Sequence, residues 1–131
     1  MKITRFILTA LLLTGAGMAG PAAAADRYPF SEARFAQVEA TGRPILVDIS
    51  ATWCPVCAVQ KKIIESDLTK PEFANFVVLD VDFDSQKNIV RQFKATMQST
   101  LIFYKGKHET ARLIGGTDPE LIAAMMRRAA S

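Results

Sequence analysis

Short apolar runs in this 131-residue chain alternate with polar, turn-forming stretches, and their spacing predicts the secondary structure. Residues 30–42 carry apolar positions at helical spacing, and Ser31 is a favourable N-cap for that helix. Phe30 and Phe35 stand where a hydrophobic staple would join the two sides of the helix start. Residues 44–50, PILVDIS, form a short apolar run with one acid inside it, which predicts a buried strand.

The later elements follow from the same kind of pattern. A helix is predicted from the two cysteines to about Leu68, while residues 26–29 are expected to be a short lead-in. Thr117 and Glu120 are in capping-box register for a last helix. The order α, βαβ, α, ββα predicts helices on both faces of one mixed four-stranded sheet, because a βαβ unit is parallel and right-handed. The remaining predicted elements are a strand at 76–82, a helix at 85–93, a hairpin of strands at 100–104 and 108–114, and a helix at 117–130.

Residues 1–25 have the three parts of a secretory signal peptide. Lys2 and Arg5 precede an apolar run at 6–13, and the alanines at 23–25 fit the cleavage pattern, so we expect cleavage after the last of them. The alternative is an uncleaved membrane anchor, which three glycines and a proline in this stretch disfavour. The sequence therefore predicts a single exported domain, residues 26–131.

Cleavage would also change the charge of the protein. The chain has 16 Lys and Arg against 13 Asp and Glu, and loss of Lys2 and Arg5 would leave 14 against 13, a net charge of +1. No basic patch then remains to indicate a nucleic-acid partner, and we expect a monomer. In an oxidising compartment, two nearby cysteines form a disulfide unless something keeps them reduced.

The segment ATWCPVCAVQ holds both cysteines of the chain, Cys54 and Cys57, between a predicted strand and a predicted helix. Cys54 would lie at the helix N-terminus, where unpaired N–H groups and the helix dipole favour a thiolate. Pro55 suits the first helical turn, since its missing N–H would have no partner there. Cys57 follows one turn later, within reach of a mixed disulfide on Cys54. The pattern indicates a redox pair that reduces or forms disulfides.

Two stretches resemble the thioredoxin-like family. ILVDISATWCPVC, residues 45–57, resembles the strand and active-site signature of that family, and STLIFYKGKHETARLIGG, residues 99–116, resembles its later hairpin. The residues after Cys57 are most similar to exported thioredoxin-like domains of bacterial envelope reductant-relay systems. Together with the predicted signal peptide, this resemblance implies the periplasm of a Gram-negative bacterium. The resemblance covers residues 31–130 and implies an α/β thioredoxin fold and a thiol–disulfide oxidoreductase that needs no cofactor beyond its cysteines.

The resemblance also implies roles for single residues. Cys54 matches the exposed nucleophile and Cys57 the resolving cysteine, while Trp53 matches an aromatic residue beside the pair. Asp48 matches a buried acid that helps to move the proton of the resolving thiol. Burial in an apolar strand should raise the pKa of Asp48, which suits this role. The alternative for Asp48 is a structural acid that bonds the backbone. The residues expected to bind substrate are Trp53, Pro55, Gln98, Ser99 and Thr100.

The chain departs from the family pattern at two positions. Ser99 stands where the family usually has a cis-proline, and a cis bond before a serine would cost about 2.5–4 kcal/mol, so we expect a trans bond and a loop of altered shape. Asp80 stands where the family has a lysine near the buried acid. If Asp80 lies close to Asp48, its charge should raise the pKa of Asp48 further.

Two other functions compete with the redox interpretation. The disulfide could be structural, although so short a loop constrains the unfolded chain little. The loss of the loop proline could instead expose the cysteines to metal, with copper bound by Cys54, Cys57 and Met97 or an iron–sulfur cluster shared between two chains. His108 is expected at the surface rather than in a metal site.

The redox interpretation is the main prediction. Pro55 and Val56 add no charge or donor between the cysteines, which favours a reductant or mild oxidoreductase over a strong oxidant. Its expected partners are protein disulfides or thiols and a membrane-bound thiol reductant or oxidant.

Overall fold

The computed structural model describes residues 24–131, so nearly all of the predicted signal peptide lies outside the described residues. No helix within residues 24–131 is long and apolar enough to cross a membrane. The strands are β1 (Asp26–Pro29), β2 (Pro44–Ser50), β3 (Val77–Asp82), β4 (Thr100–Lys105) and β5 (His108–Ile114). The helices are α1 (Glu32–Thr41), α2 (Pro55–Leu68), α3 (Lys87–Gln92) and α4 (Pro119–Ala130), with a 3₁₀ turn at Pro71–Phe73.

The strands form one mixed sheet in the order β1-β3-β2-β4-β5. Strand β3 is parallel to both β1 and β2, while β4 is antiparallel to β2 and β5. The α/β architecture is as predicted, but the sheet has five strands rather than four, because the lead-in at residues 26–29 is strand β1. Its four residues are too few to show a periodicity, and it is held by pairing with an edge of β3.

Strand β2 lies in the middle of the sheet and is buried on both faces, which explains why its sequence is apolar except for Asp48 and the terminal Ser50. Ile45, Val47 and Ile49 pack on the face covered by α1 and α3. Leu46 packs on the opposite face, with side chains from α2 and α4. Asp48 follows on this second face, because side chains alternate along a strand.

The predicted helix starts are partly confirmed. The Ser31 hydroxyl accepts a hydrogen bond from the backbone N–H of Arg34, and the Phe30 and Phe35 rings lie 5.7 Å apart, as a staple requires. The predicted capping box of the last helix is wrong. Asp118, rather than Thr117, is the N-cap of α4, since Pro119 occupies the first helical position and the residue before it becomes the cap.

Candidate active site

The two cysteines lie at the start of α2, directly after the short loop that connects it to β2. Cys54 is the N-cap of α2, Pro55 is its first residue, and Cys57 lies in its first turn. The two sulfurs form a disulfide with the Cα atoms 5.3 Å apart, and the backbone N–H of Cys57 donates to Cys54 Sγ at 3.1 Å. This N–H stabilises negative charge on Cys54 when the disulfide is reduced, as the helix dipole also does.

Exposure does not distinguish the two cysteines. Each is only 5% exposed, although the resemblance implies an exposed Cys54. Both pack with Ala51 and with the partly buried Phe83. Their different chemistry must therefore come from their positions on the helix: only Cys54 lies at the helix end.

Trp53 stands out from the surface beside the disulfide, with 59% of the residue exposed. Its indole N–H donates to Asp84 Oδ2 at 2.8 Å, in the turn that follows β3. The carboxylate of Asp82 holds this turn by accepting from the backbone N–H groups of Asp84 and Ser85. The tryptophan is therefore oriented by the end of a neighbouring strand.

A cavity of about 470 Å³ lies beside the disulfide. It is lined by both cysteines, by Asp48 from β2, by Asp80 from β3 and by Lys61 from α2. The cavity brings the predicted acid and the predicted resolving cysteine to the same space.

Asp48 is buried, and burial raises its pKa from 3.8 to about 6. The positive charge of Arg27, whose Nη2 donates to Asp48 Oδ2 at 2.9 Å, acts in the opposite direction. Asp80 is the register partner of Asp48 in the parallel pair of β2 and β3, and its charge raises the pKa of Asp48, as the sequence predicted. A pKa of about 6 makes both protonation states of this carboxyl accessible near neutrality.

The loop before β4 has the trans geometry expected without the proline. No peptide bond in the described part of the chain is cis, and Ser99 is in the left-handed region at φ 57°. Its carbonyl accepts from the backbone N–H of Gly115 at 2.9 Å and from the side chain of Gln60 at 3.2 Å. The Gln60 amide also donates to the carbonyl of Gly116 at 2.9 Å. The buried Gln60 of α2 therefore holds the loop in place from the interior of the protein.

The residues expected to bind substrate differ in accessibility. Pro55 is exposed and Gln98 is half-buried, like the accessible Trp53 described above. Ser99 and Thr100 are buried, and the Thr100 hydroxyl donates to the carbonyl of Met97 at 2.8 Å. Ser99 and Thr100 therefore shape the loop from inside, and the accessible residues of the expected set are Trp53, Pro55 and Gln98.

The copper site and the shared cluster stay predictions, since one needs the sulfur of Met97 as a ligand and the other needs a second chain. Within residues 24–131, no group of three or more His, Cys, Asp and Glu side chains could hold a metal ion. Met97 is 42% exposed beside the loop, and a site made with it would require Cys54 and Cys57 in the reduced form. His108 is exposed at the start of β5, as expected.

Three residues of this region were missed in the sequence. Arg27 lies in the unrecognised strand β1, so no pattern pointed to it. Lys61 is exposed on α2, as a lysine on a helix commonly is, and it lies one helical turn after Cys57, where it borders the cavity. Gln60 is fully buried in a helix, and a polar residue within the apolar stripe of α2 was the only local signal.

Comparisons with known proteins agree with this geometry. A sequence model described as Thioredoxin matches residues 28–128. A thioredoxin of Aspergillus fumigatus is 27% identical over 89 residues, which are 68% of this chain and 81% of that protein. Thioredoxin-2 of Saccharomyces cerevisiae is 37% identical over 71 residues, 54% of this chain and 66% of that protein. The crystal structure of Trxlp from Edwardsiella tarda EIB202 matches with a TM-score of 0.76 and 39% identity, covering 79% of this chain and all of that one (100%).

The raised pKa of Asp48 predicts a stabilising mutation. The folded protein disfavours the carboxylate, so Asp48 costs no stability below about pH 4 and its full penalty above about pH 6. Asp48→Asn removes this penalty and should stabilise the oxidised protein by about 3 kcal/mol at pH 8 but hardly at pH 4. Urea unfolding at both pH values measures the difference.

Asp82→Asn is the matched control, for which the expected change in stability at pH 8 has the opposite sign. Hydrogen bonds from Ser85 lower the pKa of Asp82, so its charge stabilises the fold above the ordinary pKa of a carboxyl and loses this effect in acid. The Asp82 variant should therefore be less stable than the parent at pH 8. An Asp48→Asn protein whose stability relative to the parent is the same at pH 4 and pH 8 would contradict the assigned pKa.

Proposed function

The chain belongs to the thioredoxin family, and from this premise we propose that it works in the periplasm of a Gram-negative bacterium as a reductant or mild oxidoreductase of protein disulfides. It is a thiol–disulfide oxidoreductase whose redox centre is the Cys54–Cys57 disulfide. The compartment, the direction of electron flow and the roles of single residues are the proposed part. The observation that supports the redox roles is the disulfide at the start of α2, beside a buried acid whose pKa is about 6. The proposed compartment is argued from the signal-peptide pattern of residues 1–25.

The proposed reaction has two steps. The Cys54 thiolate attacks a substrate disulfide and releases one substrate thiolate, which leaves a mixed disulfide. Cys57 then passes its proton to Asp48, and its thiolate attacks Cys54 Sγ. The Cys54–Cys57 bond forms, the second substrate thiolate departs, and the substrate has gained two electrons from the cysteine pair.

The direction is inferred from the groups that stabilise the reduced thiolate. A strong oxidant gains its potential from such groups, and Cys54 has the N-terminus of α2 and the N–H of Cys57 but no charged residue between the cysteines. We therefore assign a reducing or mildly oxidising role. In the periplasm this role requires a membrane-bound partner that supplies or accepts electrons.

We propose that no substrate backbone pairs with the carbonyl of Ser99 in the loop before β4. The Ser99 carbonyl already accepts two hydrogen bonds, from Gly115 and Gln60, which use both of its lone pairs. We propose that substrate proteins contact the accessible Trp53, Pro55 and Gln98 instead.

A glutathione redox titration of the metal-free protein tests the main proposal. We expect one reversible two-electron transition, with a midpoint nearer to about −270 mV, as in thioredoxins, than to about −120 mV, as in strong oxidants. The metal content of the same batch should be assayed before the titration, because the exposed Met97 and the trans loop favour copper as the alternative. Stoichiometric copper, zinc or iron that blocks the transition would replace the oxidoreductase with a metal-handling protein.

Single cysteine variants test the order of the two steps. Cys54→Ser should abolish the reduction of protein disulfides, since no nucleophile remains at the helix end. Cys57→Ser should accumulate mixed disulfides, because the resolving thiol is missing. Mass spectrometry of the trapped adducts measures both. A double variant, Cys54→Ser with Cys57→Ser, that still reduces disulfides would refute the mechanism.

Export is tested with the full chain and a C-terminal tag in a Gram-negative host. Osmotic shock should release protein whose mass corresponds to cleavage after Ala25. Ala25→Leu is the matched control, since a large residue before the cut should prevent cleavage and keep the protein on the membrane. Tagged protein that stays in the cytoplasm and still carries residues 1–25 would contradict the proposed location.

A further inference from the structure

Arg27 lies in β1, one strand removed from β2, yet its guanidinium contacts the buried Asp48. Its Nη2 donates to Asp48 Oδ2 at 2.9 Å. Its Nε donates to Asp80 Oδ2 at 2.8 Å, and Nη2 also donates to the second oxygen of Asp80. Strand β3 lies between β1 and β2, so the arginine side chain binds Asp80 on the adjacent strand β3 and reaches across β3 to Asp48 on β2.

The contact leaves the two oxygens of Asp48 in different situations. Oδ2 is bound to Arg27, whereas Oδ1 is buried and has no hydrogen-bond partner among the described residues. Asp48 and Cys57 line the same cavity. We propose that Arg27 is a positioning residue, which holds Asp48 by Oδ2 so that Oδ1 exchanges a proton with the Cys57 thiol across this cavity. The inference rests on the proposed function and deepens it.

In the mixed disulfide, the Cys57 thiol gives its proton to Asp48 and the resulting thiolate attacks Cys54 Sγ. The Cys54–Cys57 bond forms while the bond from Cys54 to the substrate sulfur breaks, and the electron pair leaves with the substrate thiolate. The cysteine pair is oxidised and the substrate is reduced. Asp48 then returns its proton to the solvent or to the departing thiolate.

Charged groups reach Asp48 from three elements. Arg27 comes from β1, Asp80 from β3, and Lys61 and the titratable Cys57 from α2, while β4 places an apolar residue opposite Asp48. Burial raises the pKa of Asp48 most, Asp80 adds to the increase, and Arg27 is the strongest opposing group, ahead of Lys61. Without Arg27, the carboxyl should stay protonated at neutral pH and fail as a proton acceptor.

Arg27→Gln tests the inference, with Arg43→Gln as the matched control. Arg43 binds Asp26 at 2.9 Å and the carbonyl of Asn75 at 3.0 Å, and its partners include neither Asp48 nor Asp80. The first readout is the pH titration of the Asp48 carboxyl carbon by NMR in the oxidised protein. The second is the decay of the mixed disulfide with a short peptide disulfide, followed by acid quench and mass spectrometry from pH 5 to pH 9.

Arg27→Gln should raise the pKa of Asp48 by at least about one unit. The ionised fraction of the carboxyl at pH 6 would then fall from about one half to about one tenth, so the mixed disulfide should live at least about fivefold longer. The rate at which that mixed disulfide forms should not change, because Arg27 does not contact Cys54. Arg43→Gln should match the parent in both readouts, and Arg27→Lys should recover part of the loss. An Arg27→Gln protein with the parent's titration and decay profile would overturn the inference.

Asp80→Asn gives a second test, in which the pKa of Asp48 should shift in the opposite direction. This test remains available if Arg27→Gln does not fold. Removal of this like charge should lower the pKa of Asp48 while leaving an amide oxygen for Arg27. An unchanged Asp48 titration in this variant would overturn the charge arrangement. Failure of the proposed function and failure of the inference give different results. A parent protein that forms no mixed disulfide refutes the proposed function. An active parent, with the Asp48 titration and the mixed-disulfide decay unchanged in the variants, refutes only the role of Arg27.

Discussion

The parallel pairing of β2 with β3 is the constraint on which the site depends. It places Asp48 opposite Asp80 and Ser50 opposite Asp82, so that two carboxylates lie side by side on the face of the sheet that α2 covers. The chain leaves β2 at the same end and enters α2 at Cys54 within four residues. Helix N-termini lie at the carboxyl ends of parallel strands in this kind of fold, which brings the helix dipole, the cysteines and the buried acid together.

Burial and charge act against each other at Asp48. A central strand covered on both faces removes water from the carboxyl, and this would keep it protonated at neutral pH. The guanidinium of Arg27 partly restores the charged form, while Asp80 works against it and also holds the arginine in place. The resulting pKa of about 6 comes from this balance rather than from the acid alone. An acid in this state can both take up and release a proton in one reaction cycle.

The loop before β4 shows how the fold accommodates a missing proline. Ser99 adopts φ 57°, which is uncommon for a residue other than glycine, and the strain requires compensation. Gln60 supplies it by donating to the carbonyls of Ser99 and Gly116 from inside the molecule. Such a loop is defined by its own contacts and has less hydrogen-bonding capacity to offer a substrate.

The sequence by itself determined the redox chemistry and most of the elements, because local patterns carry them. Each of these patterns lies within a few neighbouring residues: the apolar run of β2, the proline at the start of α2, and the spacing of Cys54 and Cys57. Only the tertiary structure decided which groups act on the acid. Arg27 is 21 positions from Asp48 and 53 from Asp80, in a strand too short to show a period. Contacts over such separations depend on strand order and register, and these arise only when the whole sheet assembles.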